Sequence, residues 1–141
     1  LNISMTGTDA DFIIKIIDVY SDTTSATSPV DENVVMANYQ MLVRGEILRG
    51  KFRNSFNHPE AFTPNEITPV KIVLPDIAHT FKKGHRLMVQ IQHTWFPLAD
   101  RNPNQFMDIF KAKAEDYIKN THRVYFDQNH PSSIKFHMLE E

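Results

Sequence analysis

The stretch FKKGHRLMVQIQHTWFPLADRNP, residues 81–103, decides the predicted fold. Over residues 85–95 the side chains alternate between two sets, a period typical of a strand with one face on a core and the other toward water. Gly84 precedes this strand in a Lys-Lys-Gly turn, where a tight reversal can require positive φ. Pro103 closes the loop that follows, because proline has no N–H for a central ladder. The predicted core face consists of Leu87, Val89, Ile91, His93 and Trp95.

Six further segments combine strand-forming residues with turn signals at their ends. One of them, FIIKIIDVY at residues 12–20, is apolar on both faces, which predicts a central strand covered on both sides. Gly45 interrupts another, which indicates a bulge or a close backbone approach. The last two segments are expected to pair as a hairpin. The six segments are residues 1–5, 12–20, 39–49, 70–74, 121–126 and 133–139.

The strand segments are not separated by helix-length segments in a βαβ pattern, so we predict an all-β fold. It is a two-sheet antiparallel sandwich of the jelly-roll type, formed by a single domain over residues 1–141. One or two short helical turns are expected within residues 104–120, and a surface loop over residues 21–33. Core positions expected to reject polar substitution are Ile14, Ile72, Val89 and Phe136.

Composition excludes several classes of function. The 141 residues carry a formal charge of −2, so no basic excess attracts nucleic acid, and no apolar run approaches the length of a membrane span. Cysteine is absent, which excludes disulfides and thiol chemistry. The sequence begins inside its first predicted strand, so we expect an excised piece that lacks its leading strand or strands. The residues given contain no signal-peptide pattern, and the compartment stays open between the cytoplasm and the periplasm or secretion.

The search for catalytic or metal-binding patterns predicts none. The four glycines do not flank a serine in the Gly-x-Ser-x-Gly arrangement of a nucleophile elbow, and the seven histidines lack metal-ligand spacing. His93 is expected to be a semi-buried histidine with one partner rather than a ligand. Oxygen-rich loops can hold calcium, but solvated turn carboxylates are the favoured interpretation. That interpretation concerns Asp9, Asp11, Asp18 and Asp22.

Aromatic and cationic side chains supply the remaining candidates. Trp95 and Phe96 could stack on a sugar or a peptide, although a cap on the core edge and packing under the next loop are favoured. Arginines suit structural or interdomain ion pairs better than substrate anchoring here. Arg101 is expected to be held by ion pairs or backbone carbonyls. The structural or interdomain candidates are Arg49, Arg53, His85, Arg86, Trp95, Asp100 and Arg101.

Motifs spread in order over nearly the whole chain resemble one known family. They include TDADF at residues 8–12 with DVY at 18–20, and FKKGHRL at 81–87. The others are GEILR at 45–49, FRNS at 52–55, FPLADRNP at 96–103 and HPS at 130–132. Together they resemble the C-terminal jelly-roll domain of the X-Pro dipeptidyl-peptidase, cocaine esterase and α-amino acid ester hydrolase family of serine hydrolases.

The resemblance implies a galactose-binding-domain-like sandwich without activity of its own and without a cofactor. It implies a parent protein whose α/β-hydrolase domain carries a Ser-Asp-His triad, and none of that triad falls on this chain. The expected chemistry is cleavage of Xaa-Pro dipeptides or of small esters and amides. This domain would pack on the catalytic domain and help shape its active-site entrance.

Two other functions stay open at this stage. One is a carbohydrate- or peptide-binding sandwich module, suggested by fold analogy and the aromatic pair. The other is a purely structural or oligomerising domain, since an unpaired sheet edge favours association, including association into a homo-oligomer.

Overall fold

The computed structural model describes residues 1–24 and 33–139. Six strands appear in this part of the chain, with three short 3-10 turns between them. The strands are β1 (Asn2–Met5), β2 (Asp11–Val19), β3 (Gln40–Arg49), β4 (Thr68–Pro69), β5 (Arg86–Gln92) and β6 (His122–Tyr125). The 3-10 turns are Gly50–Phe52, Ile109–Lys111 and Ala114–Asp116.

The all-β prediction is confirmed. The strands form two separate three-stranded antiparallel sheets, which is the composition expected of a two-sheet sandwich. The Cα positions group into two compact units, each containing one sheet. Unit 1 comprises Leu1–Ala10, Arg49–Ile72 and the chain from Arg101 onward, and unit 2 comprises Asp11–Leu48 and Val73–Asp100.

Unit 1 is organised around β1, the central strand of the order β4-β1-β6. β1 pairs antiparallel with both neighbours, so that Ile3 lies opposite Thr68 on one side and Val124 on the other. The apolar residues of β1 are buried, as the alternation of residues 1–5 predicts. Residues buried in this unit include Ile3, Met5, Ala10, Phe62 and Val70.

Unit 2 is organised around β2, the central strand of the order β3-β2-β5. β2 is buried at eight of its nine positions, which confirms a central strand covered on both faces. It pairs antiparallel with β5 from Ile13 opposite Gln92 to Val19 opposite Arg86. The core of this unit is formed by Phe12, Ile13, Ile14, Ile16, Ile17 and Val19.

Two predicted strands do not form. In the segment 70–74 only Val70 joins β1, exchanging backbone hydrogen bonds with Leu1. The predicted final hairpin does not extend past its turn: the Ser132 amide donates to the Tyr125 carbonyl, and the Ser132 hydroxyl accepts the amide of Asn2. Residues 133–139 are not a strand.

The predicted core assignments are partly wrong. Ile14 is buried and Ile72 half-buried, but Val89 is 38% exposed and Phe136 48% exposed. Leu87 is also exposed, so the expected core face of β5 is not covered at its first two positions. The two 3-10 turns within residues 104–120 confirm the predicted helical turns, and the loop at 21–33 lies mostly outside the described residues.

Candidate functional site

Asp18, at the end of β2, receives two histidines at once. Asp18 is 2% exposed, and its carboxylate accepts hydrogen bonds from His79 Nε2 at 3.0 Å and from His85 Nδ1 at 2.8 Å. An ionised carboxylate only accepts, so the ring nitrogens that face it each carry a proton. A buried carboxylate is costly without partners, and the two imidazole N–H groups supply them.

The two histidines flank the Lys-Lys-Gly turn. Its closing hydrogen bond runs from the His85 amide to the Lys82 carbonyl at 3.0 Å, and Gly84 has φ of +88°, as a type II turn requires at that position. The ring of Phe81 makes an edge contact with His79, at 4.8 Å between centroids. Residues 79–85, called here the clamped turn, are therefore tied at both ends to a single buried carboxylate.

Sequence reasoning chose His85 but not His79. The available signal was Asp18 itself, since a carboxylate in a strand covered on both faces needs donors, and two histidines six residues apart bracket the turn. The expectation of solvated carboxylates is wrong for this residue and for Asp9 and Asp11, which are also buried. Asp22 is exposed, as expected.

The Trp95 side chain packs against residues of unit 2. The ammonium of Lys15 lies 4.1 Å from its ring centroid, and a Cβ placed on Gly45 would come within 2.8 Å of the ring. The close approach predicted at Gly45 is made by the Trp95 ring. Lys15 is the one half-buried residue of β2, and its ammonium lies over that ring. Phe96 is 64% exposed, so its expected packing under the next loop is wrong. Of the two aromatics, Phe96 presents the more open surface for stacking.

Arg53 fastens a loop of unit 1. Its guanidinium donates to the carbonyls of Gly50 at 3.2 Å, Glu60 at 2.8 Å and Ala61 at 3.0 Å. The same group lies 4.0 Å from the ring centroid of Phe62. Three carbonyls and an aromatic face match the planar, multi-donor character of arginine, which lysine could not reproduce.

The other candidates are spread over both units. The Arg86 guanidinium lies 3.3 Å from the Asn38 amide oxygen, and that of Arg101 lies 5.5 Å from the Tyr117 ring centroid. Arg49 is half-buried at the end of β3, and Asp100 is exposed. Interdomain roles for these residues, and an anchor of ion pairs or carbonyls for Arg101, stay predictions. His93 Nδ1 donates to the Asp11 carbonyl at 3.0 Å, and the residue is semi-buried, as predicted.

A polar network that the sequence did not predict holds the first turn of unit 1. The Asn120 side-chain oxygen accepts the amides of Thr6 at 3.0 Å and Gly7 at 2.8 Å. The Asp9 carboxylate accepts the amides of Ala10 at 2.9 Å and Lys51 at 3.0 Å. Asp9, the first of the two aspartates in the TDADF motif, therefore has a structural role, because it accepts backbone donors in a buried turn.

The described residues offer neither a metal-binding cluster nor a membrane-spanning helix. Within residues 1–24 and 33–139, no group of three or more histidine, aspartate or glutamate side chains is arranged to hold a metal ion. None of the helical segments in these two ranges is long and apolar enough to traverse a bilayer.

Comparison with known proteins gives a consistent set of relatives. The model of the X-Pro dipeptidyl-peptidase C-terminal non-catalytic domain matches residues 1–135. Cocaine esterase from Rhodococcus sp. (strain MB1 Bresler) is 29% identical over 134 residues, 95% of this chain. Two solved structures each align with 93% of the chain, namely an aminopeptidase from a marine sediment Thaumarchaeota archaeon (39% identity, TM-score 0.82) and an α-amino acid ester hydrolase (41%, TM-score 0.84).

The matched region is a small part of each relative. This chain spans 21% of the length of the cocaine esterase, 21% of the aminopeptidase and 20% of the ester hydrolase. In all three, the region similar to this chain is therefore one part of a much longer protein.

Proposed function

Since the chain belongs to the family of X-Pro dipeptidyl-peptidase C-terminal non-catalytic domains, we propose that it serves a longer acyl hydrolase. In that role it packs on an α/β-hydrolase domain of the same parent chain and helps shape the entrance to its active site. The parent cleaves Xaa-Pro dipeptides from peptides, or small esters and amides. The observation that carries this proposal is the match over residues 1–135 to a domain that forms about a fifth of each relative.

The chemistry of the described residues supports a non-catalytic role. The most nearly triad-like group is Asp18 with two histidines, and those imidazoles face the carboxylate and the rings of Phe81 and Tyr20. A serine hydrolase needs a hydroxyl within hydrogen-bond reach of such an imidazole. In the part of the chain that the structure describes, both imidazoles hydrogen-bond to Asp18, so the cluster braces a turn, which is a structural task.

The surface supports docking. Large apolar side chains are exposed in both units, which is compatible with a surface that a partner covers. In unit 2 they include neighbours on β5, and in unit 1 they lie mainly after residue 105. The exposed set includes Leu42, Val73, Leu87, Val89, Leu98, Phe106, Phe110, Phe126 and Phe136.

The first test asks whether the chain has activity of its own. The purified 141-residue chain is incubated with Ala-Pro-4-nitroanilide, with a 4-nitrophenyl ester and with a fluorophosphonate probe that labels activated serines. We expect no turnover above the buffer rate and no labelling. Turnover at an enzymatic rate together with a labelled serine would overturn the proposal.

The second test separates an active-site role from a purely structural one. The parent chain is compared with a version that lacks residues 1–141. Misplacement of substrate-positioning elements by about 1 Å can cost on the order of 10²-fold in rate, so we expect a loss of that size in kcat/KM for the soluble fraction. An unchanged kcat and KM in the soluble remainder would leave only a structural role.

A further inference from the structure

We propose that the clamped turn, residues 79–85, is a preformed docking element that binds a carboxylate-bearing surface of the remainder of the parent chain. The inference rests on the proposed function and adds to it the point of contact and the chemistry of the partner surface. Lys82 and Lys83 supply the charge, Phe81 supplies an apolar anchor, and Asp18 holds all three in place through the histidines.

The charge pattern of the surrounding segment sets it apart. Residues 77–99 contain Lys82, Lys83 and Arg86 but neither aspartate nor glutamate, in a chain whose formal charge is −2. Lys82 and Lys83 are also the only adjacent pair of lysines or arginines in the sequence, and both are exposed. In space Asp18 and Asp22 lie beside the turn, so the excess of positive charge is confined to the exposed Lys82 and Lys83 side chains, and that excess favours a partner of the opposite sign.

The clamped turn is held rigidly, which a lysine turn that only faces solvent would not require. Its two ends are fixed by the hydrogen bonds of His79 and His85 to one carboxylate, and its tip by the amide of His85 and the positive φ of Gly84. The stacking of Tyr20 on His85, at 4.5 Å between centroids, adds a further restraint. Preorganisation of this kind lowers the entropy lost on association, which favours binding rather than stability alone.

Phe81 adds an apolar contact to the positive charges of the clamped turn. Its ring lies at the rim of the turn and is held by the edge contact with His79 rather than buried in the core. An aromatic anchor beside two cations suits a partner surface with an apolar depression bordered by aspartate or glutamate. A solvated turn, the competing interpretation, would have no such surface against it.

The direct test is zero-length cross-linking in the full-length parent protein. A carbodiimide joins a lysine amine to a carboxylate only where the two are in contact, with loss of water. We expect peptides in which Lys82 or Lys83 is joined to an aspartate or glutamate outside residues 1–141. Cross-links from these lysines solely to residues within 1–141, or none, would overturn the inference.

The clamp is tested by a matched pair of double variants of the parent protein. In His79→Gln with His85→Asn, each amide N–H replaces the imidazole N–H that faces Asp18, at Nε2 and Nδ1 respectively. In His79→Ala with His85→Ala both donors are removed. We expect the Lys82 and Lys83 cross-links to persist in the first variant and to be lost in the second, and equal yields in both would refute the role of the clamp.

A surface variant keeps the test decisive if the alanine variant does not fold. Lys82→Glu with Lys83→Glu is compared with Lys71→Glu and Lys135→Glu, which carry the same charge change at exposed positions of unit 1. We expect a lower thermal midpoint of the parent protein for the first pair alone, with the difference shrinking as salt screens the contact. Equal midpoints for the two pairs would overturn the inference.

The cross-linking data also separate this inference from the proposed function. Cross-links to the remainder of the parent chain that involve other lysines but not Lys82 or Lys83 would retain the docking role and reject this contact point. A protein without any cross-link between residues 1–141 and the remainder would contradict both.

Discussion

Strands β2 and β5 are neighbours in one sheet and differ sharply in burial. They pair over seven residues, yet β2 is buried at eight of nine positions and β5 has no fully buried position. The contrast is clearest where Ile16 lies directly opposite Val89, because directly opposed side chains share one face of the sheet. Ile16 is 3% exposed and Val89 is 38% exposed.

The difference shows what each sequence pattern determines. An unbroken apolar run leaves no face suited to water, so the pattern of β2 predicts burial on both sides whatever lies around it. The alternation of β5 shows only that its two faces differ. Which of those faces is covered depends on other segments, and among the described residues β5 is an edge strand that pairs with β2 alone.

The largest expected effect tests this contrast at the opposed pair. Ile16→Ala should lower the free energy of unfolding by about 2–5 kcal/mol, because it leaves a cavity in a covered core. Val89→Ala should cost roughly 1 kcal/mol, because its side chain is already partly in water. Urea titrations of the chain followed by circular dichroism measure both, and similar losses would show that β5 is as buried as β2.

An intermediate effect is expected on the other side of β2, where β3 lies. Gly45→Ala places a methyl group within 2.8 Å of the Trp95 ring, and overpacking of this kind costs about 1–3 kcal/mol. Trp95→Phe removes the outer ring that the methyl group would meet. The double variant should therefore be more stable than the sum of the two single changes predicts, and strict additivity would refute the close contact.

The smallest effect is expected at Lys15, the one half-buried position of β2. Lys15→Met removes the cation over Trp95 and should lower the free energy of unfolding by less than about 1 kcal/mol. Lys71→Met, at an exposed position of unit 1, is the matched control and should change almost nothing. A larger loss in the free energy of unfolding for Lys15→Met than for Gly45→Ala would contradict the predicted order of these effects.

Local patterns predicted the fold class and several of its details. Periodicity and turn chemistry were sufficient for β1, β2, β3 and the turn at Gly84. They failed for residues 70–74 and 133–139, where alternation persists but no strand forms. Alternation reports side-chain preference, whereas a strand also needs a partner with free backbone groups, which alternation does not supply.

The candidate residues show the same limit at the level of side chains. His79 is separated from Asp18 by 61 residues, and Asn120 from Asp9 by 111. Neither pairing has a local signature, and the general requirement that buried polar groups find partners does not identify which residues those partners are. The carbonyl partners of Arg53 lie within eight residues of it, yet the sequence predicted a structural or interdomain ion pair rather than these carbonyl contacts.

Trp95 has a practical consequence for studying the chain. It is the only tryptophan, and its contacts with Lys15 and Gly45 lie within unit 2. Its fluorescence therefore follows the unfolding of that unit, whereas far-ultraviolet circular dichroism follows the strands of both. Coincident transitions in one denaturant titration would show that the two units unfold together, and separated transitions would give each unit a stability of its own.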